Sequence, residues 1–414
     1  MRTRTARTLT TAILAAAMTA CSGQAAESGS GSASAPPPPS EDRVTASAGP
    51  SSAVSPSGEP EPSEAAAPLT LTWDDPEPFA GQPAELIVDG DRFVAVGWAS
   101  DGGPAAWTSS DAETWEPADV ADPQPDDTFR GAGLGPTVRL GDSLLSFGTF
   151  VGCCDGRGVY GWRSADGTDW EVIESDSPLF EQGYLVRELA VGDPALVAVE
   201  IQFAELAGRI WRWTEDASWV EVTPGVGSGE LSGIQPNDVI WSEDRFVAVG
   251  THGDPGDRAA AVGASWVSDD GETWQESAAS TELEGVWLTA VAPLAGGGFA
   301  AVGYEESPTV GEQVAPVAFS SPDGLAWSAV DSAFADTRWL PQDLVEVDGG
   351  LVALGASGEG VVVWVTDDGR AWTASRQFGV EYQAAAVLGD QLVVLTADFA
   401  SDDGWQVHRA TVER

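Results

Sequence analysis

The chain contains no lysine: all 19 of its basic residues are arginine, against 65 Asp and Glu, and the formal charge is −46. Without lysine there is no Schiff-base chemistry and no lysine-centred phosphate loop. The acidity excludes nucleic acid as a partner, because phosphate binding needs clustered Lys or Arg to release counterions. The same charge repels anionic polymers unless a local basic pocket overrides it. Histidine is almost absent. His252 and His408 stand alone, with no ligand spacing around either, so no metal centre and no Ser-His-Asp triad can be built on them. Only three cysteines occur, at 21, 153 and 154. Long segments with helical periodicity are lacking, and no apolar run beyond the first 21 residues is long enough to cross a membrane.

The N-terminus carries an export signal. Arg2, Arg4 and Arg7 precede an apolar run from Leu9 to Ala17, which is too short for a stable transmembrane helix. Met18-Thr19-Ala20-Cys21 follows and resembles the bacterial lipobox, with Met18 where Leu is usual. The resemblance implies cleavage after residue 20, diacylation of Cys21, and a lipid-anchored protein on the extracytoplasmic face of the cell membrane, as in envelopes of actinobacterial type. Residues 22–68 hold 12 Ser, 9 Pro and no aromatic residue. Such a stretch cannot bury enough apolar surface to fold, and reads as a disordered tether spanning roughly 35–40 Å.

Residues 69–414 contain an internal repeat. One half reads Trp-x-Ser-x-Asp-Gly-x-x-Trp and is here called the aspartate hairpin. It occurs at Trp107–Trp115, Trp162–Trp170, Trp266–Trp274, Phe319–Trp327 and Trp364–Trp372, and in altered form at Trp211–Trp219, where Trp213 and Glu215 replace Ser and Asp. The other half is a strand ending in Gly. Asp91-Arg-Phe-Val-Ala-Val-Gly97 returns unchanged as Asp244–Gly250, with variants at 143–148, 195–200, 298–303, 350–355 and 391–396. A period near 50 residues made of short strands and turns predicts propeller blades. The fold class expected is all-β, a seven-bladed β-propeller, with six blades as the alternative. The unpaired segment 69–76 is expected to complete the last blade and leave no open edge.

Asp111, Asp166, Asp270, Asp323 and Asp368 are assigned structural roles: Gly supplies positive φ, and the carboxylate accepts turn amides. The hairpins resemble the Asp-box (BNR) repeat of sialidase-type propellers. That resemblance implies the architecture, with the boxes at the periphery, away from a catalytic centre. Sialidases grip a substrate carboxylate with three Arg and use a Tyr–Glu pair and an Asp acid. Their Arg-Ile-Pro motif is missing from this chain, and their ring has six blades.

Three sets of residues cluster near inner-strand starts and are candidates for a ligand site at the channel mouth. Arg130, Arg187 and Arg338, with Tyr184 and Tyr382 in equivalent segments, would suit an anion. The competing account has these Arg pairing with neighbouring carboxylates. Glu85, Glu188, Asp238 and Asp343 would suit Ca²⁺ or a cationic ligand, or pair with those Arg or cap backbone amides between blades. Trp287, Trp339 and Tyr382 would suit sugar or peptide recognition, or pack between blades. Cys153-Cys154 can form a vicinal disulfide. No catalytic residues, resident metal or cofactor are assigned. The function expected is a monomeric, non-enzymatic binding or assembly module for an envelope protein or glycan; the alternative is carbohydrate binding or sialidase-type hydrolysis. Cys21→Ser is expected to abolish incorporation of labelled palmitate and to move the protein from the membrane to the soluble fraction. Retention of the label in that variant would disprove the lipid anchor.

Overall fold

The computed structural model describes residues 67–123, 132–149, 159–173, 184–193, 195–202, 207–214, 218–224, 233–253, 261–278, 280–305, 314–330, 334, 337–398 and 404–414. Cys21, Arg130, Cys153 and Cys154 lie outside them, as does Glu215 of the altered hairpin. Pro68–Arg414 forms one compact unit. It is a seven-bladed β-propeller: seven sheets, antiparallel apart from one added strand in blade two, follow one another in chain order around a ring.

Each blade starts at the axis and works outward. Blade one comprises Gln82–Asp89, Arg92–Trp98, Pro104–Ser109 and Glu116–Pro117. The inner strands of blades two to seven are Thr137–Leu140, Tyr184–Val191, Ile234–Ser242, Val286–Pro293, Trp339–Val347 and Glu381–Leu388. Blade two borrows a fifth strand, Asp119–Val120, which pairs in parallel with Asp169–Ile173. In blade seven, Thr70–Trp73 pairs antiparallel with the C-terminal strand Trp405–Glu413, from Thr70 opposite Glu413 to Trp73 opposite Ala410. The chain ends therefore close the ring, as the sequence predicts. Arg409, on that last strand, clasps the joint by ion pairs to Asp74 (3.6 Å), Glu77 (3.1 Å) and Glu113 (2.9 Å).

The core is distributed. The buried apolar side chains fall into seven clusters, one between each pair of neighbouring blades. The central positions of the second strands supply most of each cluster, such as Phe93 and Ala95 on one face of blade one and Val94 and Val96 on the other. Blades are hydrophobic on both faces, so these strands read as unbroken apolar runs rather than alternating ones.

The aspartate hairpins act as expected. In blade four the Asp270 carboxylate accepts the amides of Glu272 (2.8 Å) and Thr273 (2.7 Å), and the Ser268 hydroxyl accepts the Gly271 amide at 2.9 Å. The Thr273 and Glu272 amides hold the Asp270 carboxyl below its ordinary range, and the Thr114 and Glu113 amides do the same for Asp111. The closing Trp does more than pack: in blades two, five and six its indole N–H donates to the carbonyl of the turn Gly, at 3.0–3.2 Å. The turns also dock on the preceding blade. A Cβ on Gly271 (φ +68°) would meet Val197, and one on Gly324 (φ +79°) would meet Val247. The repeated Arg completes this contact: Arg92 donates to the Asp166 carbonyl of the next blade, and Arg245 lies beside Asp323 of the next. That shared task accounts for the identity of Asp91–Gly97 and Asp244–Gly250.

The Gly ending each second strand has a packing reason. A Cβ on Gly97, Gly250, Gly303 or Gly355 would stand 2.0–2.2 Å from a carbonyl oxygen of the inner strand. Blade three departs from this with Glu200, which is fully buried. Neither carboxylate oxygen has a hydrogen-bond partner among the described residues. Burial pushes its pKa up to about 8 against the opposing influence of Trp211 and Arg209.

Gly250→Ala is expected to cost about 1–3 kcal/mol through forced backbone displacement, measured by urea unfolding; wild-type stability would refute the close-approach argument. Glu200 gives a pH signature. Its folded pKa is raised, so its contribution is complete below about pH 4.5 and is lost as pH rises toward about 8. Glu200→Gln should flatten the fall in stability across that window, by roughly 3 kcal/mol at pH 7, read from urea unfolding at several pH values. An unchanged slope would show that the carboxylate is solvated.

Candidate functional site

The inner strands carry the same irregularity in six blades. A β-bulge lies between Pro83 and Glu85, Val186 and Glu188, Pro236 and Asp238, Leu288 and Ala290, Pro341 and Asp343, and Tyr382 and Ala384. The extra residue is Ala84, Arg187, Asn237, Thr289, Gln342 or Gln383. In a regular strand neighbouring side chains point to opposite faces; a bulge re-aims one of them. Arg187 with Glu188, Asn237 with Asp238, and Gln342 with Asp343 thus line one cavity as adjacent pairs. Proline tolerates this place because a bulge frees an amide from the ladder.

The cavity has a volume of about 710 Å³ and is bounded by the inner strands of six blades and, in blade two, by residues 134–136 with Phe147 and Gly148. It is the central channel. Glu85, Glu188, Asp238 and Asp343 all reach it, as do Arg187 and Tyr382. The sequence assigned these six to one mouth, and the fold brings them together. Glu85 Oε1 accepts the Leu86 amide at 3.2 Å, and Glu188 Oε1 accepts the Leu189 amide at 3.0 Å. Asp238 Oδ2 accepts the Val291 amide of the next blade at 2.7 Å. The Tyr382 hydroxyl donates to Asp343. Asn237 Nδ2 donates to the Leu288 carbonyl at 2.7 Å.

Burial and mutual repulsion raise the carboxyl pKa values. Burial, then Asp343, lifts Glu85 to about 8, and burial lifts Asp238 to about 7. Glu188 and Asp343 are raised by burial as well, Glu188 further by Glu85 and Asp238. Burial raises the Tyr382 phenol and lowers the Arg187 guanidinium, the latter against the support of Glu188 and Asp238. Crowded carboxylates in an enclosed space take up protons rather than share full charge.

Other candidates lie elsewhere. Trp339 is a core residue, 2% exposed, packed edge-on against Phe334 at 5.1 Å. Trp287 is also buried and stacks with Tyr304. Both follow the packing account rather than that of exposed ligand platforms. Arg338 is exposed and does not line the cavity. Tyr184 begins the inner strand of blade three, but its side chain lies outside the described ones. Of the three Arg, the described residues place only Arg187 in the channel, so the described channel lacks a sialidase-like Arg triad. No group of three or more His, Cys, Asp or Glu among the described residues is close enough to hold a metal ion, so the four carboxylates do not form a Ca²⁺ cage.

Sequence reasoning missed the polar bulge residues Asn237, Thr289, Gln342 and Gln383, and the wall residues Trp98 and Trp241. A signal was present: Pro-x-acid recurs as Pro83-Ala84-Glu85, Pro236-Asn237-Asp238 and Pro341-Gln342-Asp343.

No protein-family model and no curated protein matches the chain. Among solved structures it is similar to the polysaccharide lyase Uly1, at 11% identity over 80% of this chain and 90% of that one, with a TM-score of 0.55. The β-propeller domain of the trilobed protease from Pyrococcus furiosus aligns at 10% identity over 79% and 91%, with a TM-score of 0.46. An α-L-arabinanase from Penicillium chrysogenum aligns at 13% identity over 70% and 95%, with a TM-score of 0.44. At these identities the likeness defines the class, a β-propeller, and nothing finer.

The channel carboxyls make a pH prediction. Their folded pKa values are raised, so the stability they contribute is full below about pH 4 and is lost as pH rises toward about 7–8. The double variant Glu85→Gln, Asp238→Asn is expected to melt higher than wild type at pH 8 and no higher at pH 4. Equal shifts at both values would exclude a charge origin.

Proposed function

We propose that this protein is a lipid-anchored, extracytoplasmic binding module whose ligand site is the central channel. The observation that carries this reading is the convergence of Glu85, Glu188, Asp238, Asp343, Arg187 and Tyr382 from five blades on one cavity of about 710 Å³. That size suits a single small ligand or an inserted side chain of an envelope partner. Burying several ionisable groups together costs stability, and a protein that retains them gains something other than stability. The tether following Cys21 would hold the ring clear of the lipid surface.

The channel also supports a second reading, hydrolysis of a carbohydrate. Glu85, held to about 8, is protonated at neutral pH beside other carboxylates. Asp238, at about 7, is partly ionised at the same pH, and two carboxyls in different protonation states are what an acid–base glycosidase requires. The Uly1 likeness concerns the fold and does not weigh on this choice.

The experiment is a thermal-shift screen of polar metabolites and oligosaccharides, followed by native mass spectrometry of the hits. At least one compound is expected to bind with 1:1 stoichiometry, and Arg187→Met or Asp343→Asn should weaken it at least tenfold. A hit unaffected by both variants would place the site outside the channel and overturn the reading. Turnover of a fluorogenic glycoside, lost in Glu85→Gln, would replace binding with hydrolysis.

A further inference from the structure

The channel holds one basic side chain, Arg187, among four acidic ones, and the Glu85–Asp343 pair stands across the axis from it. Arg187 and Glu188 come from blade three, Asp238 from blade four and Tyr304 from blade five, and these are electrostatic neighbours. Asp343 comes from blade six, Tyr382 from blade seven and Glu85 from blade one, and these too are neighbours, while Glu85 and Asp343 also act on Glu188 and Asp238 across the channel. Blades follow chain order around the ring, so the two groups face each other across the axis.

Arg187 is the one basic side chain lining the cavity among the described residues. It is partly exposed toward the channel, and Glu188 and Asp238 act on it through their charge; no hydrogen bond or close ion pair ties it to a described residue. Its five N–H donors are left to whatever fills the channel. A guanidinium with unused donors takes a planar anion best, and grips a carboxylate through two parallel bonds. The facing wall is the reverse. Glu85 and Asp343 repel each other, and no basic side chain is among their neighbours. Beside Asp343, the buried Gln342 Oε1 accepts no hydrogen bond. That wall has acceptors in excess and no cation.

We infer, on the reading that the channel is the ligand site, that its occupant is a small zwitterion. The ligand's carboxylate lies against Arg187, and its ammonium lies between Glu85 and Asp343 within reach of Gln342. A simple amine would leave Arg187 without a partner, and a simple carboxylate would leave the Glu85–Asp343 pair uncompensated. An unmatched guanidinium is costly where burial already disfavours its charge, and unmatched carboxyls stay protonated and give the ligand no attraction. A neutral sugar would match neither wall.

The test is isothermal titration of the full-length protein. The probes are glycine, 4-aminobutyrate and 6-aminohexanoate, with hexylamine, hexanoate and galactose as partial matches. One of the three amino acids is expected to bind at least tenfold more tightly than hexylamine or hexanoate. Arg187→Met should erase its advantage over hexylamine, and Glu85→Gln with Asp343→Asn its advantage over hexanoate; circular dichroism checks that each variant is folded. Wild type alone gives a second readout: titration in buffers of different ionisation heat should show proton release when the ammonium meets the acidic wall. Tighter binding of galactose or hexylamine would overturn the zwitterion and leave the channel as a ligand site. No binding by any probe class would overturn the zwitterion and count against the channel as well. Binding that survives all three substitutions would move the site elsewhere and refute both.

Discussion

The β-bulge in the innermost strand is the constraint on which the channel depends. A propeller packs its blades through apolar faces, and regular alternation would commit every second inner-strand residue to those faces. The bulge breaks alternation at one level of the ring. Consecutive residues there turn toward the axis, and the strand resumes its packing register immediately afterward. Val239 and Leu344, each one residue past the acidic position, return to the inter-blade clusters. Polar groups thus occupy the centre of the fold without a gap opening in its core.

The glycines of the second strands belong to the same arrangement. Gly97, Gly250 and Gly355 stand opposite the prolines that precede a bulge, where any Cβ would collide with inner-strand backbone. Blades three and seven lack this glycine. Blade seven places Thr396 there and bonds it to His408 at 3.0 Å. Blade three places Glu200, which finds no such partner. The departures fall in the blade that supplies Arg187 and the one that supplies Tyr382.

Two systems of carboxylates coexist in this acidic protein, and their surroundings set them apart. The hairpin aspartates lie at the rim, accept turn amides and are held in the charged form. The channel carboxylates are enclosed with one another and are driven toward the neutral form. The first system specifies turns and joins neighbouring blades through Arg92 and Arg245. The second weakens the fold at neutral pH and leaves a compact space with one basic side chain among four acidic ones.

The repeat period, the hairpin residues and the spare strand at 69–76 pointed to seven blades over six and to the way the ring closes. These features are local in the chain or recur at a fixed interval, so sequence order alone carries them. The shared position of Glu85, Glu188, Asp238 and Asp343 was legible for the same reason. Their partners were not. Trp287, Trp339 and Arg338 sit in matching segments yet take different roles, because a residue at a strand entrance turns inward, into a blade interface or out to solvent according to its neighbours in other blades. Which groups face Arg187 across the axis depends on distances to residues such as Glu85 and Asp343, more than a hundred positions away in the chain. Only ring closure fixes those distances.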